Sequence, residues 1–267
     1  MALNKMGIIL GYLFCIGLMG IPSLEALPSY RVASAKPDKL HVGERFLYHI
    51  FYLGMVVGEA EAQVKELVEF RGRKAYHIEV QVRSRSVIDY LYRVRDTHHS
   101  YIDAEHFHSL SYEKQLSEGR YHVHERMTYD QESHEGEYYS FTNGSKKRML
   151  IPQHVQDQVS AGFWFRMQDF KPRSKVVILV NADEKNWELE IEIGDIEKVK
   201  NKFLGEFEAV KLIPQIKFQG LFVKRGRIEG WVGLDAHRTP LKMRVKVPIL
   251  GSVSAQLVEY NPGILEK

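Results

Sequence analysis

Residues 58–67 read GEAEAQVKEL, and their alternation decides the fold class. Gly58, Ala60, Ala62 and Val64 fall on one face while Glu59, Glu61, Gln63 and Lys65 fall on the other. This is the period of two that a strand imposes on successive side chains. RKAYHIEVQVR at 73–83 repeats it, with Tyr76, Ile78, Val80 and Val82 against His77, Glu79, Gln81 and Arg83. WELEIEIG at 187–194 repeats it again, with Trp187, Leu189, Ile191 and Ile193 against Glu188, Glu190 and Glu192. Strands with one dry and one wet face belong to antiparallel sheet.

Further apolar-alternating runs stand at 45–53, 94–102, 107–116, 120–129, 136–142, 207–218, 227–234 and 241–259. Turn signals separate them: Glu118-Gly119, the hairpin dipeptide Asn143-Gly144, and Asp235-Ala236-His237-Arg238 before Pro240. Helical spacing is confined to SVIDYLY at 86–92 and VQDQVSAGFWFRM at 155–167. The expected protein is therefore all-β with one or two short helices. Its architecture is a large curved antiparallel sheet or open β-barrel with a helix against the concave face. Gly58, Ala60 and Ala62 leave room on that face for a helix or a ligand to approach. One β-rich domain is expected over 40–260, between a linker at 27–39 and a tail at 261–267.

In the longer helical stretch Asp157 fits an N-cap, Val159, Phe163 and Met167 share a face, and Ala161 and Phe165 lie beside it. Trp164 falls on the Asp157-Ser160 side, so most of the circumference is apolar, which marks a buried helix. Arg166 lies opposite Asp157 and is expected to meet a carboxylate elsewhere or to reach water.

The chain has 267 residues, 44% hydrophobic and 27% charged, an ordinary globular balance. A net charge of +3 lacks the basic footprint of a nucleic-acid binder. At the N-terminus Lys5 precedes MGIILGYLFCIGLMGI, then Pro22 and small residues, the layout of an export signal with cleavage after Ala26 or as late as Ala35. An uncleaved anchor facing the periplasm is the alternative. The lone cysteine, Cys15, lies within that run behind the bulky Phe14, so lipid attachment is not expected. The mature chain would hold no disulfide and no thiolate chemistry.

His106 with His108, and His122 with His124, each share a strand face. A hairpin turning at Ser117-Glu118-Gly119 sets His124 opposite Tyr112 and His108 opposite Thr128, too far apart for one tetrahedral metal site. No metal or cofactor is expected. HExxH is missing, since His124-Glu125 and His134-Glu135 lead to Thr128 and Tyr138, and no GxSxG elbow or phosphate loop occurs. No catalytic residue is assigned, and an enzyme is the less favoured class. Lys146-Lys147-Arg148 fits a solvated hairpin arm better than a phosphate patch.

GERFLYHIFYLGMVVGEAEA at 43–62, Val155-Gln156-Asp157 with Ser160 through Arg166, and Trp231 through Pro240 followed by Gly251-Ser252-Val253 together resemble a known family. It is the bacterial exported family called domain of unknown function 3108, and the likeness spans residues 40–259. Asp157, Ser160, Trp164, Arg166, Asp235, Arg238 and Pro240 stand at its recognisable positions, with Gln158 where a proline is expected. The resemblance implies a periplasmic or outer-membrane-associated β-rich protein, similar by fold analogy to the open barrels of lipoprotein carriers. It supplies no catalytic residues.

These features point first to an exported, non-enzymatic protein that binds an apolar or amphipathic ligand, a lipid or lipoprotein, between the sheet and the aromatic helix. Peripheral association with the outer membrane is part of that expectation. The candidate ligand-binding residues are Phe163, Trp164, Phe165, Asp157, Arg166 and Trp231. An envelope assembly factor acting through protein contacts is the second reading, and a hydrolase the third.

Overall fold

Strand β1 (Glu44–Tyr52) pairs antiparallel with partners from opposite ends of the chain, β2 (Met55–Phe70) on one side and β15 (Gly251–Pro262) on the other. The computed structural model describes residues 37, 39–85, 87–169, 171–218, 221–222, 227–247 and 251–263. The export signal expected over 1–26, with Cys15, and most of the linker lie outside the described residues.

From β2 the chain meanders outward through β3 (Arg73–Ser84), helix α1 (Val87–Leu91), β4 (Arg95–Asp103), β5 (Ser109–Glu118), β6 (Tyr121–Asp130), β7 (Glu135–Ser140) and β8 (Lys146–Leu150). It then crosses through helix α2 (Ser160–Arg166) to the far edge. From there it meanders back through β9 (Lys175–Ala182), β10 (Lys185–Asn201), β11 (Gly205–Phe218), β12 (Leu221–Phe222), β13 (Arg227–Gly233) and β14 (Pro240–Val247) to β15. The sheet order is β8-β7-β6-β5-β4-β3-β2-β1-β15-β14-β13-β11-β10-β9, with β12 a spur on β11.

Register shifts interrupt six ladders, at Leu47/Tyr48, Ile50/Phe51, Val64/Glu66, Tyr101/Ile102, Ile193/Ile196 and Trp231/Val232. Such bulges bend strands and increase twist, which lets so long a sheet curl. The curl brings its two edges together. Gln156 accepts from Asn181 N and donates to Leu179 O, both at 2.8 Å, as a short parallel bridge on β9. On its other side Ser109 N donates to Val155 O at 3.2 Å. Asn186 Nδ2 donates to Leu150 O at 2.7 Å, and Lys147 pairs with Glu184. Residues 155–157 therefore seal a seam that would otherwise expose the backbone of β9.

Helix α2 fills the interior. Val159, Phe163 and Met167 pack into a cluster with Phe46, Ile50, Val64, Ile78 and Val80. Ala161 and Phe165 pack into a second cluster with Ile178, Val180, Leu189, Ile193 and Val210. The plug thus joins the two halves of the sheet, as its apolar circumference requires.

Several local expectations are corrected. The β5–β6 turn is Gly119-Arg120, so His124 faces Gln115 and Thr128 faces Ser111, while His108 precedes β5. Gly119, at φ 60°, supplies the left-handed conformation that the shifted turn needs. Asn143-Gly144 sits in a longer connection, 141–145, because Asn143 Oδ1 accepts from Ser145 N and Gly144 N reaches Ser140 O. Lys146, Lys147 and Arg148 stand exposed on β8, the second arm of the β7–β8 hairpin, where the sequence placed them. The run 241–259 is two strands, and the last one extends into the expected tail through Pro262.

Candidate functional site

The first anchor of α2 is Asp157, which is fully buried at the seam. Its carboxylate accepts from Ser100 Oγ at 2.6 Å, Ser109 Oγ at 2.5 Å, Val159 N at 2.7 Å and Ser160 N at 2.9 Å. Burial pushes its pKa up, against those four donors, which pull it down. The helix starts at Ser160, later than the sequence suggests, with Val159 in the cap position. Asp157 satisfies the first amides from outside it, and Ser160 Oγ returns the bond by accepting from Asp157 N at 2.8 Å.

The second anchor is Arg166 at the helix C-terminus. Its guanidinium faces Glu44 of β1, Nη2 to Oε1 at 2.6 Å and Nη1 to Oε2 at 3.1 Å. It also donates to the carbonyls of His237, at 2.7 Å, and Arg238, at 3.3 Å, and lies over the rings of Phe46 and Phe163. Tyr260 on β15 adds a hydrogen bond to Glu44 Oε1 at 3.1 Å, and Tyr48 donates to Pro240 O at 2.9 Å. Burial raises the pKa of both tyrosines, so they remain donors. The turn that receives Arg166 is held by Asp235, whose carboxylate accepts from His237 N, Thr239 N and Thr239 Oγ1. Residues from two separated sequence motifs thus form one joint.

Between the two core clusters α2 leaves a cavity of about 200 Å³. Its walls come from Phe46, Tyr48 and Ile50 on β1, Ala60 and Ala62 on β2, Phe163 and Phe165 on α2, and Ile178, Leu189, Leu212 and Ile228 across the sheet. The alanines make the space, since any larger side chain on that face would fill it. Gly162 also borders the cavity, and a Cβ added there meets nothing within 4 Å.

Of the residues singled out by sequence, Phe163, Phe165 and Arg166 border the cavity. Trp164 is half-buried against the second core cluster, and Asp157 lies at the seam. Trp231 is buried on β13 and borders the cavity beside a register shift at Trp231/Val232. There Lys211, Lys242 and Arg244 cover the ring, and Nε1 donates to Glu197. Glu44, Tyr48 and Tyr260 escaped the sequence reading. Glu44 stands in the motif GERF, yet a charged residue beginning a strand carries no signal of burial.

The interior is polar on the β4–β6 side. His98 is buried, with Nδ1 2.7 Å from Tyr112 Oη, and burial pulls its pKa down to about 4. Tyr112 Oη donates to Gln158 Oε1 at 3.3 Å, and Lys114 meets Asp183 at 3.0 Å and Glu125 at 3.2 Å. Asp96 and Glu118 are buried near each other, and desolvation followed by the neighbouring Asp96 charge pushes Glu118 up to about 7. The paired histidines of the sequence stay apart. His108 stacks between His106 and His154, whereas His124 bonds Glu113 at 2.7 Å and stacks on Phe141. Among the described residues no group of three or more metal-ligating side chains is placed to hold an ion, and no helix is long and apolar enough to cross a membrane.

The chain is similar in fold to the beta-barrel-like protein of domain of unknown function DUF1849 from Brucella abortus. The TM-score is 0.56 at 9% identity, over 83% of this chain and 98% of that one. A Bacteroides fragilis protein with a YmcC-like fold matches at TM-score 0.37 and 10% identity, over 85% of this chain and 99% of that one. No curated protein matches the chain. The model of the family described as protein of unknown function DUF3108 matches residues 47–258, and the chain belongs to that family.

Proposed function

We propose that the protein is exported to the cell envelope and there holds the hydrocarbon part of an amphipathic ligand, a lipid or a lipid-modified partner, without catalysis. The observation that carries this reading is the cavity of about 200 Å³ between α2 and the sheet. Its walls are mostly apolar; of the two cations that border it, Arg166 and Lys242, the Arg166 guanidinium is paired with Glu44. A space of this size is below the roughly 300–1,000 Å³ of sites for drug-sized molecules, so it suits a chain segment whose polar end stays outside. Burial of such a chain contributes about 25 cal/mol per Å² of apolar surface removed from water. Export is supported by Lys5 and the apolar run at 6–21.

The test is to purify the protein from its native envelope, extract it with organic solvent and identify bound lipid by mass spectrometry. A stoichiometric lipid is expected, together with saturable binding of a fluorescent apolar probe. Ala60→Leu, which places a larger side chain on the cavity wall, should abolish probe binding while the protein still melts cooperatively. An empty native protein that also rejects the probe would overturn the reading in favour of an assembly factor.

A further inference from the structure

The cavity reaches Ile50 on β1 and Val82 on β3, each three residues before an exposed residue, Leu53 and Arg85, at one end of the sheet. That end is unusually apolar. Leu53 is 71% exposed, Met55 62% and Val56 37% on the β1–β2 hairpin, and Tyr90 is 95% and Leu91 68% exposed on α1. The other large exposed apolar side chains among the described residues are scattered over separate strands and turns. The two elements are neighbours: Arg85 N donates to Val57 O at 2.9 Å, Gly58 faces Ser84, and α1 packs on β2.

The hairpin turn gives an independent indication. Leu53 has φ 49° and Gly54 φ 82°, the two positive values of a two-residue turn that favours Asn-Gly or Gly-Gly. Leucine gains nothing there from its own backbone, adopts a conformation disfavoured by its Cβ, and exposes its side chain to water. Local folding is served better by asparagine at this position. Arg71-Gly72 makes the same turn between β2 and β3, at φ 50° and 80°, with a charged residue at the apex; at the β1–β2 turn the apex is instead an exposed leucine.

Shape and charge identify the partner. The tip projects rather than forming a groove, and a Cβ added at Gly54 meets nothing within 4 Å. A projecting tip suits a deformable partner. Residues 51–59 and 83–95 carry four arginines, Arg83, Arg85, Arg93 and Arg95, against two carboxylates, Glu59 and Asp89, a balance of +2. Glu59 pairs with Arg85 and Asp89 with Arg95, so Arg83 and Arg93, both exposed, stand outside these ion pairs. Apolar side chains at an apex, a tyrosine beside them and arginines behind them match the layering of a bilayer interface with anionic headgroups. We propose that the β1–β2 hairpin and α1 together insert into the interfacial layer of an anionic lipid bilayer. The proposal stands whether or not the cavity holds a ligand.

Hydrogen–deuterium exchange of the full chain tests it, with vesicles of phosphatidylcholine alone or mixed with phosphatidylglycerol. Exchange is read by residue because the apolar run at 6–21 would itself partition into vesicles. With anionic vesicles, amides of 51–57 and 87–91 should slow several-fold, less so with neutral vesicles or at high salt. The slowing should vanish in the double variant Leu53→Asn, Leu91→Gln. Leu53→Asn suits the turn, so its melting temperature should be no lower than that of the wild type. Unchanged exchange at both segments with anionic vesicles overturns the proposal, as does slowing that survives in the variant. Slowing that appears without lipid as protein concentration rises would assign the tip to a second copy of the chain and overturn it equally.

Discussion

Arg166 and Glu44 meet inside the curled sheet as a two-pronged ion pair, 2.6 and 3.1 Å, although 122 positions separate them in the chain. The pair ties the end of helix α2 to β1. Through the carbonyls of His237 and Arg238 it also ties that helix to the turn between β13 and β14. Arg166 borders the cavity, and its charge there is met by Glu44.

Because both members are buried, losing one leaves the other uncompensated. Arg166→Met or Glu44→Gln should each cost about 3–5 kcal/mol, read from urea unfolding. The double variant Glu44→Leu, Arg166→Met should recover most of that loss. Additive losses would show that the two side chains act separately.

Asp157→Ala removes the acceptor for two buried hydroxyls and two helix amides. A loss of about 3 kcal/mol or more is expected, since each donor left unpaired costs about 1–3 kcal/mol. Asp157→Asn keeps one oxygen and should lose less. Equal stability of Asp157→Ala and the wild type in denaturant titrations would refute the anchoring role.

His98 governs the acid limb. In the fold burial pulls its pKa down to about 4, whereas the unfolded chain takes up that proton near 6.5. Its contribution is therefore complete above pH 6.5 and lost as pH falls toward 4, on the order of 3 kcal/mol. His108, also pulled down to about 4 by burial, acts in the same window. Thermal melting from pH 7 to pH 4 should show a steep fall that His98→Gln flattens; an unchanged slope would remove His98 from the account.

Glu118 works in the opposite direction. Burial and the nearby Asp96 raise its pKa to about 7, above the unfolded value of 4.5. Its contribution is then full below pH 4.5 and lost as pH rises through 7. Glu118→Gln keeps an acceptor for Tyr92 Oη but cannot ionise. Relative to the wild type the variant should gain stability between pH 5 and pH 8, as measured by urea unfolding at both values.

Local order was legible wherever one face of a strand is wet. GEAEAQVKEL and RKAYHIEVQVR pair as β2 and β3 with Ala60 opposite Val82 and Ala62 opposite Val80, because a period of two leaves only one face to bury. Strand β9 escaped because Val176-Val177-Ile178-Leu179-Val180 is continuously apolar and alternation cannot mark it. The seven-residue α2 was readable as a plug from its apolar circumference, though not its true start, which depends on a carboxylate held by two serines from other strands.

By itself the sequence determined the strand periodicity, the all-β class and the aromatic helix, since each depends on side chains near in the chain. Only the tertiary structure decided that β15 returns to β1, that residues 155–157 seal the edge of β9, and that Glu44 is the partner of Arg166. It alone decided that the plug leaves a cavity. A void is the difference between the curvature set by bulges in many ladders and the volume of one helix, and no local pattern of residues encodes that difference.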